Sequence, residues 1–529
     1  MLVERLLGDY PGRPRKLKAP QEEGMILADE TFYMPSARLA DLAAGRIEDL
    51  APVLDWAEDR RPFTIRDCFD QSLRLSQRLL LEEDDSVDLL SPEGATLSQQ
   101  ATPQARFVAQ FAEGPVKAAL ADLSPLRALL PVASGTARSG TLALVDDEGK
   151  TRARAFLREL EPAEGQAVVL VTARGLRGYD RALNGLVARI HDCGGTPLAA
   201  GNLYRMMDPA APGYSARPRL EVGRDETAFD AATDLIDSYL PVARANEAGI
   251  IADLDTEFLH DYRIALRKIR SVLSLFKGVY EPQQTVELQA RFAALMAPTG
   301  LLRDIDVYLL ERRGFFDLVP AMMHAGLERM FAILRDRRAG EQAGLAEHVR
   351  GKSYRKEIKA LSRLFAKRRK LTPGSNAGRA AYDFACELIW KRYRKIRRIA
   401  DGLTAETPDA EVHELRIECK KLRYLMEFFG PVFPQESFRD ILKPLKKLQD
   451  SLGLFNDSSV QQAGLTAFVG SLGDEPGRLE IAQSVGALVV ILHQQQAAER
   501  ERIVEAFAHF NSDFMQRAFR ELFHEGRRA

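Results

Sequence analysis

Residues 260 to 276 read HDYRIALRKIRSVLSLF and residues 413 to 429 read HELRIECKKLRYLMEFF, an offset of 153 positions. His, Arg, a basic residue and Arg recur at relative positions 0, 3, 7 and 10. On a helix turning about 100° per residue these fall within roughly 80° of one another. His260, Arg263, Arg267 and Arg270 therefore form one stripe, and His413, Arg416, Lys420 and Arg423 form another. Leu266, Ile269, Leu273 and Phe276 occupy a different face of the first helix, and Cys419, Leu422, Met426 and Phe429 the same face of the second. The register holds further along, where Gly300, Asp304 and Val307 meet Gly453, Asp457 and Val460 at the same spacing. Two motifs in one register predict a duplicated helical unit.

A solvated helix face mixes signs, with Glu set against Lys one turn away. Each stripe here is basic or His at all four positions, and like charges on one face cost stability. An anionic partner that compensates them is the expectation. The formal net charge of -1 hides a segregation: residues 1–100 carry 12 Lys+Arg against 20 Asp+Glu, whereas residues 351–430 carry 20 against 10. Cys68, Cys193, Cys386 and Cys419 have no paired spacing that predicts a zinc site or a disulfide framework. No continuous apolar run is long enough to span a bilayer, and the first residues lack a signal-peptide core, so a cytoplasmic protein with no membrane partner is expected.

Along the chain, residues 1–200 alternate short apolar and polar runs broken by Gly, Asp and Pro, among them FTIRDCFD, SVDLLS, GTLALVDDEG, TRARAFLREL and QAVVLVTARG. These predict the strands of an antiparallel sheet, with helices near 115–123 and 179–192, hence an α+β domain. Residues 201–224, rich in Pro and Gly, read as a linker. From 225 to 525 nearly everything has helical period. The duplication divides it into halves of about 225–370 and 378–525, each a bundle.

The runs LHDYRIALRKIRSVLSLF, LLRDIDV, VHELRIECKKLRYLMEFF and LQDSLGLFND, in this order, resemble the CHAD domain, the conserved histidine α-helical domain. The resemblance covers roughly 225–525. It implies an all-α fold of two helical bundles related by a pseudo-two-fold, a basic surface or pore between them, and inorganic polyphosphate as partner. The family's basic positions match His260, Arg263, Arg267, Arg270 and Arg303 in the first half, and His413, Arg416, Lys420, Lys421 and Arg423 in the second. Arg394, Arg397 and Arg398 from KRYRKIRR are companions. The chemistry agrees, since phosphate oxygens accept from the Arg fork while Lys supplies a point charge. Single exposed ion pairs contribute only ~0.2–1 kcal/mol each. About ten converging cations are needed for the ~8 kcal/mol of micromolar binding. If the two histidines face the anion, binding strengthens as pH falls into the imidazole range. The basic run 367–370 reads instead as a solvated helix end.

The N-terminal part, through CFDQSLRLSQRLLLEE and LVTARGLRGYDRALNGLVARI, resembles the CYTH superfamily, whose triphosphatases work in a β-tunnel. That tunnel needs an E-x-E-x-K strand to hold divalent metal and phosphate, and no E-x-E-x-K occurs in this chain; MILADETFYM stands at the expected place. A degenerate domain without catalysis, cofactor or metal is therefore expected. EGKT at 148–151 is no phosphate loop, because position 144 is Leu where Gly is required. The leading expectation is a polyphosphate-binding protein, associated with polyphosphate granules. A triphosphatase acting through the N-terminal domain and a nucleic-acid binder using the basic faces are the alternatives. Few aromatics interleave the stripes, which disfavours nucleic acid.

Overall fold

A computed structural model describes residues 30–525 except 92–95, 199–202, 204–212, 220 and 405. The expectations placed on residues 1–29 and on 204–212 of the linker lie outside the described residues. The chain divides into two compact units, with the boundary at Ser215 and Ala216.

The N-terminal unit is one antiparallel sheet: β1 (Glu30–Pro35), β2 (Ala51–Trp56), β3 (Arg61–Cys68), β4 (Leu79–Glu83), β5 (Ser86–Leu90), β6 (Thr96–Gln100), β7 (Leu129–Val145), β8 (Thr151–Pro162), β9 (Val168–Gly175) and β10 (Thr196–Pro197). Strand order is β10-β1-β9-β8-β7-β3-β4-β5-β6, with β2 also paired to β7. The run LRLSQRLLLE, which reads from sequence as strand, is strand only from Leu79; Ser72–Leu75 forms a helical turn. Asp67 fixes it by accepting from the backbone N–H of Cys68, Leu73 and Arg74 at 2.7, 2.9 and 3.0 Å.

Alternation along the strands sorts the residues onto two faces. Phe32, Met34, Leu157, Val169 and Val171 pack under α1 (Asp180–Asp192), whose Leu183, Leu186 and Ile190 point inward. Tyr33, Phe63, Ile65, Leu81, Leu160 and Leu170 cluster on the opposite, concave face. The sheet curls far enough for Arg158 on β8 to reach Asp88 on β5 at 2.6 Å and Glu83 on β4 at 2.7 Å.

The second unit is helical: α2 (Ala228–Ala245), α3 (Thr256–Leu275), α4 (Pro282–Met296), α5 (Gly300–Leu310), α6 (His324–Arg350), α7 (Lys352–Lys367), α8 (Ala381–Ala400), α9 (Asp409–Phe429), α10 (Gln435–Gly470), α11 (Arg478–Phe510) and α12 (Asp513–Arg520). The offset of 153 read from two motifs relates whole elements. Ala228 and Ala381 start α2 and α8, Thr256 and Asp409 start α3 and α9, and Pro282 and Gln435 start α4 and α10. One difference is instructive. Pro298 interrupts the first half in a 3-10 turn between α4 and α5, whereas its equivalent is Ser451 and α10 runs through. The helical period reads from sequence as two helices, 435–454 and 456–470, but the chain forms a single one, with Phe455 buried between them.

Equivalent residues touch each other at three places, which locates the dyad between the halves, because only residues near a two-fold axis can meet their own counterparts. Thr227 bridges Ala380, flanked by the reciprocal bonds of Ala228 N–H to the Arg379 carbonyl and Ala381 N–H to the Glu226 carbonyl, both 2.7 Å. Phe276 stacks on Phe429. The Tyr308 hydroxyl approaches the Gln461 carbonyl at 3.4 Å, and Gly464 permits this, since a Cβ there would lie 2.5 Å from that hydroxyl. The two halves pack directly against each other. Ile305, Leu327, Met330 and Phe331 share one core with Leu465, Ile481, Leu488 and Leu492.

Candidate anion-binding site

In the first half, Asp255 caps α3 by accepting from the N–H of Glu257 and Phe258 at 2.9 and 3.2 Å. Leu266, Ile269 and Leu273 are buried, so the stripe turns away from them. The break at Pro298 lets α5 start afresh and bring Arg303 alongside. Arg263, Arg267 and Arg303 are consequently electrostatic neighbours, with Glu257, Asp306 and Asp304 as nearby carboxylates. Burial holds the Arg263 and Arg303 guanidinium groups below their ordinary range, and Arg267 adds to the effect on both. Arg263 donates to the Thr299 hydroxyl at 2.6 Å, and Arg270, exposed, reaches only the Met296 sulfur at 3.3 Å. Arg303 is 8% exposed, a departure from a stripe directed wholly outward. Its Nη1 and the Nε of Arg267 are buried donors without a hydrogen-bond acceptor.

The second half repeats the theme with more counter-charge. His413 is exposed, its Nδ1 2.8 Å from the side-chain oxygen of Asn456, which is the equivalent of Arg303. Arg416 lies 3.9 Å from Asp457 and keeps a buried Nε without an acceptor, as Arg397 also does. Lys420 is half-buried, and Arg394 and Arg398 on α8 are exposed. Lys421 is bound to Glu418 at 2.9 Å. Glu418, 2% exposed, is also held by Arg392 and by Lys395 at 3.3 Å. Burial pushes its carboxyl up, yet Lys421 and Arg392 together hold it below the ordinary carboxylate range. Arg423 is bound to Glu427 at 2.7 Å, and Glu427 also takes Lys268 from α3.

Beside the Tyr308–Gln461 contact, one carboxylate has neighbours from both halves. Glu311, which accepts from Gln461 at 2.5 Å, is an electrostatic neighbour of both Arg303 in the first half and Asp457 in the second.

Residues 234–466 match the family model of the CHAD domain. The helical unit contains a CHAD domain. Two uncharacterized proteins from Mycobacterium tuberculosis, of strains CDC 1551 / Oshkosh and H37Rv, are each 25% identical over 315 residues, covering 58% of this chain and 58% of theirs. The match thus spans less than two thirds of those relatives. Among solved structures, the CHAD domain from the plant Ricinus communis covers 58% of this chain and 96% of its own, at 23% identity and a TM-score of 0.46. PptA from Streptomyces chartreusis covers 53% and 99%, at 14% identity and a TM-score of 0.41.

Within this CHAD domain the sequence-derived residues fall into two sets. Among the described residues Arg263, Arg267, Arg303, Arg416 and Arg397 lack a hydrogen-bonded carboxylate, while Lys421 and Arg423 are engaged by one. Arg392 was not anticipated; the signal was its place in KRYRKIRR, but only the fold shows that Glu418 lies opposite it. Among the described residues no helix is long and apolar enough to cross a membrane.

Proposed function

We propose that the CHAD domain of this protein binds inorganic polyphosphate through the arginine-rich stripes on α3 and α9 and through Arg303. One observation carries the reading: Arg267, Arg303, Arg397 and Arg416 each keep a buried N–H donor with no acceptor among the described residues. A buried donor without a partner costs about 1–3 kcal/mol, and two of the four, Arg267 and Arg303, are also neighbouring like charges. Phosphate oxygens supply both the acceptors and the negative charge. Tripolyphosphate and longer chains offer such oxygens in series, which suits donors distributed over two helices and α5. His260 and His413 begin the stripes. Granule association follows as the cellular consequence of this binding.

The N-terminal unit, in this reading, is a CYTH-type sheet that no longer hydrolyses phosphate anhydrides. Its concave face carries Phe63, Ile65, Leu81, Leu160 and Leu170, and Arg158 there is held by Glu83 and Asp88. A phosphate would have to displace both carboxylates.

Titration with long-chain polyphosphate compares wild type with Arg263→Glu plus Arg416→Glu. The reading expects a loss of at least about a hundredfold, two reversed charges among roughly ten. Equal affinities would contradict it.

A further inference from the structure

Helix α7 carries a cationic ridge that belongs to neither stripe. Residues 351–370 hold nine Lys+Arg against one acidic residue, Glu357. Lys352, Arg355, Lys356, Lys359, Arg363 and Lys367 recur three or four positions apart and fall within about 120° of arc on the helix. All six are exposed, as are Arg369 and Lys370 just beyond. The opposite face, Tyr354, Ile358, Leu361 and Phe365, is buried and fixes which way the ridge points. The carboxylates that might neutralise it are engaged elsewhere. Glu357 takes Arg291 at 2.6 Å, and Asp230 and Asp234 take Arg368. Among the described residues none of the eight ridge cations carries an ion pair. The stripe on α9, by contrast, has Arg423 tied to Glu427 and Lys421 beside it tied to Glu418.

We propose that this ridge is a second contact surface for a linear phosphate chain, distinct from the arginine cluster of α3 and α5, and that it makes binding depend on chain length. The proposal rests on the polyphosphate reading for its ligand, but on separate residues. A straight row of cations over about 22 Å, at 1.5 Å per residue, complements a polyanion that runs in single file. A duplex presents two strands that wind away from a straight row. No aromatic or amide side chain is exposed along α7 to stack on or read a base. Nor is any large apolar side chain exposed there to enter a bilayer. Helix α4 separates the ridge from the first stripe: its Arg291 pairs with Glu357 on α7, and its Met296 meets Arg270 on α3. Two helix spacings of about 10 Å each place the two surfaces beyond the reach of one small ion and within reach of one long chain. The second half has no counterpart, since the equivalent stretch 505–520, EAFAHFNSDFMQRAFR, is not basic.

The test uses the full chain and a neutral triple variant, Lys356→Gln, Lys359→Gln and Arg363→Gln, titrated with tripolyphosphate and with long-chain polyphosphate. Arg267→Gln plus Arg416→Gln is run beside it. The ridge variant should lose about tenfold for the long chain, through lost avidity, and nothing for tripolyphosphate. Unchanged long-chain affinity, or equal losses for both ligands, would overturn the proposal. A long-chain loss confined to the ridge variant, with Arg267→Gln plus Arg416→Gln at wild-type affinity, would support the ridge while contradicting the inner site. A single-stranded oligonucleotide that displaces the long chain from the ridge as well as polyphosphate does would overturn the assignment to phosphate chains.

Discussion

Phe276 stacks on Phe429, the residue 153 positions later, with ring centroids 4.9 Å apart and planes inclined by 10°. Both rings are buried, and each ends the stripe-bearing helix of its half. The contact ties the orientation of one stripe to that of the other. Phe276→Ala removes a buried ring and its stacking on Phe429 at once, so the helical unit should lose about 3–5 kcal/mol. Denaturant unfolding measures it. A coupling near zero in the double-mutant cycle with Phe429→Ala would show that the rings stabilise the halves independently and not through each other.

Glu418 gathers Arg392, Lys395 and Lys421 around one buried carboxylate. Glu418→Gln should destabilise by on the order of 2–4 kcal/mol, because cations paired in a partly buried setting lose their counter-charge. The same change should tighten polyphosphate binding severalfold by releasing Lys421 and Arg392. Unfolding and titration on one preparation read the two opposite signs, and weaker binding would place these cations outside the site.

Asp67 has its carboxyl pushed up to about 6, chiefly by burial, against three backbone donors that favour the charged form. A carboxyl whose folded value is raised contributes stability that is fully present below the unfolded value near 4 and is lost as pH rises through about 6. The N-terminal unit should therefore gain about 2–3 kcal/mol between neutral pH and about pH 4 from this group. Unfolding followed by Trp56 fluorescence in a Trp390→Phe background reads that unit alone, and Asp67→Asn should flatten the profile. An unaltered profile in the variant would assign the pH dependence to other groups.

The duplication, the two stripes and the placement of Phe276 and Phe429 on apolar faces were legible because helical period and a fixed offset are properties of the sequence itself. The burial of Arg303 was not, because it follows from the angle at which α5 leaves Pro298. Nor was the capture of Lys421 by Glu418, three residues away but made permanent by the burial that α8 imposes. The α7 ridge had a full sequence signal in Lys352, Arg355, Lys356, Lys359, Arg363 and Lys367. Reading only 367–370, a helix end, concealed it. That Phe63, Leu81 and Leu160 share the concave face of the sheet required the strand register.

The central claim is that the two halves address one phosphate chain. Calorimetric titration with polyphosphate of defined length, for wild type, Arg267→Gln, Arg416→Gln and the double variant, tests it most directly. The account predicts a single binding event whose stoichiometry is the same in all four proteins and whose affinity falls with each substitution. Two independent events in wild type, with each single variant abolishing a different one, would contradict it.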